Sequence, residues 1–105
     1  MAKTKFVLTA NPTFKTKVSI PIPGTSPEPV EFIFKHRTKD EYLEWAKNLE
    51  GKDDVDMILE MASGWELADP FDRESIEKLT QSYLGAARAI FDKYVFEQTN
   101  AKLGN

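Results

Sequence analysis

Few side chains in this 105-residue chain are suited to chemistry, and their spacing does little with them. It has one histidine, His36, and no cysteine, which excludes thiolate metal sites, disulfides and cysteine nucleophiles together. No Gly-rich phosphate loop, His-x-x-x-His pair or Gly-x-Ser-x-Gly elbow occurs. Asp53, Asp54 and Asp56 form a carboxylate cluster but lack the central Gly and terminal Glu of a calcium loop. Their place ahead of an apolar helical stripe suits them instead to the positive end of a helix. The inventory is that of a non-enzymatic protein, and we expect no catalytic residue, no metal and no cofactor.

The basic group Lys35, His36, Arg37 and Lys39 in "FKHRTKD" is the remaining candidate. It stands where a strand gives way to a helix N-terminus, a place whose backbone already favours anions, so a phosphate or a partner's carboxylate would fit it. The bland alternative is that a lone His without fellow ligands is structural or exposed. Charge is also uneven along the chain. Residues 1–39 hold seven basic and two acidic residues, net +5, and residues 40–105 hold seven and fifteen, net −8, inside an overall −3. Such poles attract each other between subunits, offer separate faces to different partners, or are plain solvated surface.

The elements that carry these residues follow from hydrophobic period. In "TFKTKVSIPI", Phe14, Thr16, Val18, Ile20 and Ile22 alternate with Lys15, Lys17, Ser19 and Pro21, the period-two pattern of a half-buried strand with a basic outer face. "VEFIFKH" repeats it, with Val30, Phe32 and Phe34 on one side, and "PGTSPEP" between the runs is the loop of an antiparallel hairpin. A short strand over 6–9 is expected to pair beside them. From Thr38 the period becomes helical. Thr38 and Glu41 have the spacing of a capping box, and Tyr42, Trp45, Ala46 and Leu49 form the first stripe. "DDVDMILEMASGW" predicts a second helix burying Val55, Ile58, Leu59 and Ala62 and ending at Gly64. Asp72 caps a third with Ile76, Leu79 and Tyr83. Gly85 breaks the run before a fourth with Ala87, Ile90, Phe91, Tyr94 and Val95.

The expected architecture is α+β: a small N-terminal antiparallel hairpin or sheet packed on a C-terminal bundle of about four helices. At this length the chain is one domain, 1–105, with a basic β part over 1–37 and an acidic helical part over 38–105. "MAKTKFVLTANPT" has too short an apolar run for a secretory leader, and no stretch approaches the roughly 20 apolar residues of a membrane span, so an intracellular soluble protein is expected. Aromatic and basic alternation in the strands invites a nucleic-acid reading. Phe14, Phe32 and Phe34 share faces with Val and Ile while the lysines point the other way, which argues against it. Phe96 falls opposite the stripe of Ile90, Phe91 and Tyr94, and an intact helix presents it to solvent or to a partner. Trp65 and Phe71 bracket a short loop and are expected to fold under it as core anchors, fixing the angle between helices.

The stretch "GWELADPFDRESIEKLTQSYLGAARAIFDKY" resembles the helical C-terminal part of small tail assembly chaperones encoded by long-tailed bacteriophages and prophages. The matching places are Gly64 and Trp65, Pro70 and Phe71, Asp72, Ile76 and Leu79, then Ala86, Ala87, Ile90 and Tyr94. "NPTFKTKVSIPIPG" and "VEFIFKHRTKDE" are also similar to members of this group, so the resemblance covers most of the chain. One departure is Leu84 in "SYLGAARAI", where a Pro is expected, and it bears on the geometry of that step. The resemblance implies a protein that binds the long, helical tape measure protein and keeps it soluble until the tail tube polymerises around it. It also implies a longer form, made by ribosomal frameshifting, that recruits the tail tube protein. Residence would be the cytoplasm of the bacterial host, with absence from the mature virion. The opposed poles suit a homo-oligomer, a ring or helical array, and the residues proposed to meet partners are Phe96, Lys15, Lys17, Lys35 and Arg37. Trp65, Phe71, Leu79, Ile90 and Tyr94 are the structural anchors. The rival readings are a tail or head-tail structural component and, behind it, a small nucleic-acid-binding module.

Overall fold

The computed structural model describes residues 6–100; Lys3, Lys5 and Lys102, which enter the charge counts, lie outside that range. Alternation at period two makes β1 (Thr13–Ile20) and β2 (Glu28–Lys35), which pair antiparallel with Phe14 opposite Phe34, Thr16 opposite Phe32 and Val18 opposite Val30. The register puts the large apolar residues on one face and Lys15, Lys17 and Ser19 on the other. Pro21 ends β1 earlier than the apolar alternation suggests, so Ile22 belongs to the connecting loop, where Gly24 takes the left-handed φ of +84°.

The helices start where their caps dictate. The side chain of Thr38 accepts from the Glu41 N–H and that of Glu41 accepts from the Thr38 N–H, opening α1 (Lys39–Lys47) with the anticipated capping box. Asp53 and Asp72 cap α2 (Asp54–Met61) and α3 (Arg73–Ser82) by accepting from Asp56 N and Ser75 N at 2.8 and 2.9 Å. The acidic cluster at Asp53 is thus partly a cap, and Asp56 is ion-paired to Arg73. Helix α4 (Ala86–Thr99) is the longest element.

Three sequence expectations change. Residues Phe6–Thr9 form no strand, and Phe6, Val7 and Leu8 are exposed; the hairpin ladder closes at Pro12, whose carbonyl accepts from His36 N but which has no N–H of its own to continue it. Ala62–Gly64, expected as a helix end, begins β3 (Ala62–Trp65), which pairs antiparallel with the far edge of β2 in the order β1-β2-β3. The chain passes from helix to strand at Ala62 without a loop. At Gly64 the sheet is closely approached: a Cβ there would sit 3.2 Å from Ile33 Cδ1 and press on that side chain. Finally, Ala46 is exposed, and α1 buries Trp45 alone, with Tyr42 and Leu49 half-buried beside it.

The fold is nevertheless α+β, a three-stranded antiparallel sheet with four helices. Packing on the sheet's apolar face, α4 lies along β1 and α2 along β2 and β3. One hydrophobic cluster joins the layers, built on Phe32, Phe34, Ile58, Met61, Ile76, Ile90 and Tyr94.

Candidate functional site

Helix α4 begins with small residues, and that choice shapes the surface above it. Ala86 and Ala87 are buried, which lets α4 close on α2. Gly85 lets the preceding step close on the hairpin loop, since a Cβ there would meet Pro21 Cγ at 3.1 Å. At the step from α3 to α4, Leu84 belongs to neither helix and so to neither apolar stripe; it is 90% exposed. Leu84 forms one wall of a groove of about 360 Å³ whose other apolar walls are Leu49, Met57, Ala87 and Phe91, with Asp54 and Arg88 as its charged lining. Phe91 is backed by Trp45, ring centroids 6.2 Å apart. An apolar helical groove for a client was expected, but without named residues. Its one sequence signal was Leu84, a large apolar residue beside a helix-breaking glycine.

The basic junction is organised differently from the expected anion site. The Lys35 ammonium donates to the carbonyl of Leu59 at 3.1 Å, tying β2 to α2. Arg37 donates through Nη1 to Tyr94 Oη at 2.9 Å and lies over the Trp45 ring at 5.1 Å. Tyr94 Oη is within reach of two acceptors, Lys35 O at 2.7 Å and Gln98 Oε1 at 3.1 Å, and its one proton serves one at a time. Gln98 closes the clasp by accepting from Arg37 N at 2.6 Å and donating to Arg37 O at 3.3 Å. Burial pushes the Tyr94 phenol above its ordinary value, against the opposing pull of Arg37. Lys35 and Arg37, named as partner contacts from sequence, are half-buried, and each also holds a contact within the fold. His36 and Lys39 remain at the surface between α1 and the end of α4, beside Tyr42 and Leu43.

Lys15 and Lys17 are exposed on the outer face of β1. Phe96 is half-buried rather than fully presented, because α4 lies along β1 and brings it into a shallow concavity with Lys17, Val18 and Ser19. Lys93 Nζ sits 5.7 Å from its ring. Among the anchors, Ile90 and Tyr94 have no exposure at all, while Leu79 is half-buried against the core. Trp65 and Phe71 meet edge-to-face at 5.1 Å, and Trp65 meets Phe32 likewise at 5.8 Å. Trp65 Nε1 donates to Asp69 O at 2.8 Å and so holds the 66–71 loop. Both rings are half-buried at the core's edge. Because Trp65 is on β3, the joint they fix is between strand and helix rather than between two helices.

A wider concavity of about 640 Å³ runs over α1 and carries Asp40, Glu41, Glu44 and Glu60 against Arg37 and Lys52. These charges are largely paired or capping: Lys52 with Glu60 at 3.1 Å, Glu44 with Lys47 at 3.5 Å, and Glu41 on Thr38, whose N–H holds the Glu41 carboxyl below its usual range. Among the described residues no group of three or more His, Cys, Asp or Glu is placed to hold a metal ion, and no helix is long and apolar enough to cross a membrane.

The described residues form a small α+β domain, a three-stranded antiparallel sheet with four helices, that carries an apolar groove beside the start of α4. The family model for phage tail assembly chaperones matches residues 1–105, and the chain belongs to that family, whose members are generally non-catalytic and act in tail assembly. No curated protein sequence and no solved structure matches the chain.

Proposed function

We propose that this protein binds the tape measure protein and keeps it soluble until the tail tube assembles around it. The observation that carries the reading is the groove of Leu49, Met57, Leu84, Ala87 and Phe91, which leaves a 90% exposed leucine at the surface of a tail assembly chaperone. A long apolar helix without its final partner aggregates, and small subunits that cover its apolar face hold it in solution by mass action. An amphipathic helix offers such a groove its i, i+3 and i+4 apolar positions, the mode by which helices enter grooves elsewhere. Self-association accompanies the binding: the basic outer face of one hairpin, Lys15 and Lys17, meets the acidic helical surface of the next copy. The longer, frameshifted form and its contact with the tail tube protein belong to the same reading, as do a cytoplasmic site of action and loss from the finished virion.

Co-expression with the tape measure protein tests the proposal. A soluble, stoichiometric complex by pull-down and sedimentation is the expected result. An insoluble client beside a soluble, unattached small protein overturns it and favours a tail or head-tail structural component.

A further inference from the structure

Strand β1 lies at the edge of the sheet, and the order β1-β2-β3 leaves it one neighbour among the described residues. His36 N donates to Pro12 O at 2.9 Å, so in the register that follows the hydrogen-bonded pairs are Phe14 with Phe34, Thr16 with Phe32 and Val18 with Val30. Thr13, Lys15, Lys17 and Ser19 therefore turn their N–H and C=O groups away from β2, along about 20 Å of strand. The same parity turns Glu31 toward β3, where its carbonyl accepts from Glu66 N at 3.0 Å. No strand completes the outer row of β1 in this way, and such a row is a template for one.

Helix α4 runs beside that row. Two concavities of about 410 and 380 Å³ follow one another along β1, the first between Lys17–Ser19 and one stripe of α4 that includes Ala89 and Phe96, the second between Thr13–Lys15 and the helix end at Glu97 and Gln98. We propose that β1 takes an antiparallel fourth strand here, an extended segment of a partner protein that alternates apolar and acidic residues. An added strand sends alternate side chains to opposite faces of the sheet while its backbone completes the ladder. Residues opposite Thr16 and Val18 face α4, where half-buried Ala89 and Phe96 offer apolar contact. Residues opposite Lys15 and Lys17 stand on the outer face, where both lysines are exposed.

Charge selects the occupant. Lys15 stands across from Ile33 and Lys17 from Glu31, and neither lysine is in an ion pair among the described residues. On the helix side Asp92 is held by Arg88 at 2.8 Å and Glu97 by Lys93 at 3.3 Å. Free cations thus border the sheet side of the groove and acids the helix side. That arrangement suits carboxylates on one face of a strand and opposes a continuous polyanion such as nucleic acid. A second copy does not supply the strand: two β1 edges would set lysines against lysines, β3 is Ala62-Ser63-Gly64-Trp65 without an acid, and Glu66 beyond it accepts from Glu31 N at 2.8 Å. Neither do the ends of the chain, since residues 1–11 and 101–105 contain no Asp or Glu. The site is separate from the Leu84 groove and does not rest on what that groove binds. The self-association proposed above uses the charge of the same lysines, whereas a fourth strand also uses the backbone of β1.

The probe is an acetylated, amidated peptide of alternating Glu and Val, matched to the eight residues of β1. Binding is read by fluorescence anisotropy and its place by residue-resolved amide hydrogen exchange on the full chain. The peptide should bind, and exchange at the Lys15, Lys17 and Ser19 amides should slow at least about tenfold, while Thr16 and Val18, already held by β2, change little. For Glu side chains to stand over the lysines in an antiparallel pair, the Glu N–H groups must face β1. Backbone N-methylation at the Glu residues should therefore abolish binding, and methylation at the Val residues should spare it. Lys15→Glu with Lys17→Glu should weaken binding at least about tenfold and melt with the parent, because both positions are exposed. No binding at about 1 mM peptide, binding that leaves those amides unprotected, indifference to which residues carry methyl groups or to the lysine reversal, or preference for an oligothymidylate at the same lysines each overturns the proposal. Binding without amide protection would do so while leaving charge-driven contact between copies intact. A protein that gains the strand yet leaves the tape measure protein insoluble would sink the proposed function and not this site.

Discussion

Tyr94→Phe removes one oxygen from the middle of the fold and keeps the ring, which makes it a clean measure of the clasp between the strand-to-helix junction and α4. The ring packs against Phe14, Phe34 and Trp45 at 6.2, 5.3 and 5.2 Å, and those contacts survive the substitution. What is lost is the donation to Lys35 O or Gln98 Oε1 and the acceptance from Arg37 Nη1. A neutral hydrogen bond contributes about 0.5–1.5 kcal/mol and one to a charged group about 1.5–3 kcal/mol. Arg37 keeps its stack on Trp45 and Gln98 keeps the Arg37 backbone, so the low end of each range applies and the sum is about 2 kcal/mol. For a domain of this size that lowers the melting temperature by about 8 °C. Urea unfolding is the assay, with an unchanged m-value showing that stability alone has moved. The pH dependence supplies a second readout. Burial raises the Tyr94 pKa above its ordinary 10.0, so the folded state favours the neutral phenol. That stability is fully present below pH 10 and is lost as pH rises through the folded pKa. The variant should lose part of this alkaline limb, keeping the portion due to Tyr42, whose phenol burial also raises. A variant within 0.5 kcal/mol of the parent, roughly the scatter of neutral surface changes, and with the parent's alkaline limb intact would refute the energetic role of the clasp.

Three further outcomes follow from the same contacts. Trp65→Ala should cost about 2–3 kcal/mol in chemical unfolding, below the 3–5 of a fully buried aromatic because the ring is only half covered; unchanged stability with lost client binding would make it a binding residue instead. Leu84→Asp should leave stability within about 0.5 kcal/mol, as expected of a surface site, yet abolish client capture in the co-expression assay; retained capture would move the client away from the groove. At the acid end, the Arg73 guanidinium beside Asp56 holds its carboxyl below the ordinary value, so the pair contributes stability above the usual carboxylate range that is lost as pH falls through the depressed pKa. Asp56→Asn should flatten that acid limb in pH-dependent melting, and a limb of parental steepness would show the pair to be energetically idle.

The parts of this fold legible in the sequence are those where one local rule decides. Period two set the faces of Phe14, Val18, Phe32 and Phe34, and side-chain oxygens at Thr38, Asp53 and Asp72 set three helix starts. Strand β3 was hidden because its residues, Ala62-Ser63-Gly64-Trp65, lack the β-branched alternation of a strand, and its form is imposed by pairing with β2. The fates of Lys35 and Arg37 were equally non-local: the partners, Leu59 O and Tyr94 Oη, lie 24 and 57 residues away. Position alone placed both cations in a surface cluster. The residues of the groove escaped for a related reason, since Leu49, Met57, Leu84 and Phe91 come from four separate segments, and only Leu84 was locally out of place.

Tying half-buried Lys35 and Arg37 to partners within the fold changes what the basic pole can do. It leaves Lys15 and Lys17 on the outer face of β1 and Lys39 at the start of α1, against an acidic surface spread over all four helices. Exposed charges of this kind act over about 10 Å at 0.1 M salt and contribute little per pair, so they orient approaching copies more than they hold them. On the proposed self-association, holding falls to apolar surface such as Leu84, which stands exposed to water. The two roles respond differently to solution conditions, because screening weakens steering while leaving aliphatic burial in place. On the proposed function, a chaperone that collects copies on one client and later releases them gains from that separation: weak charge steering keeps exchange fast, and the apolar groove sets which contact persists.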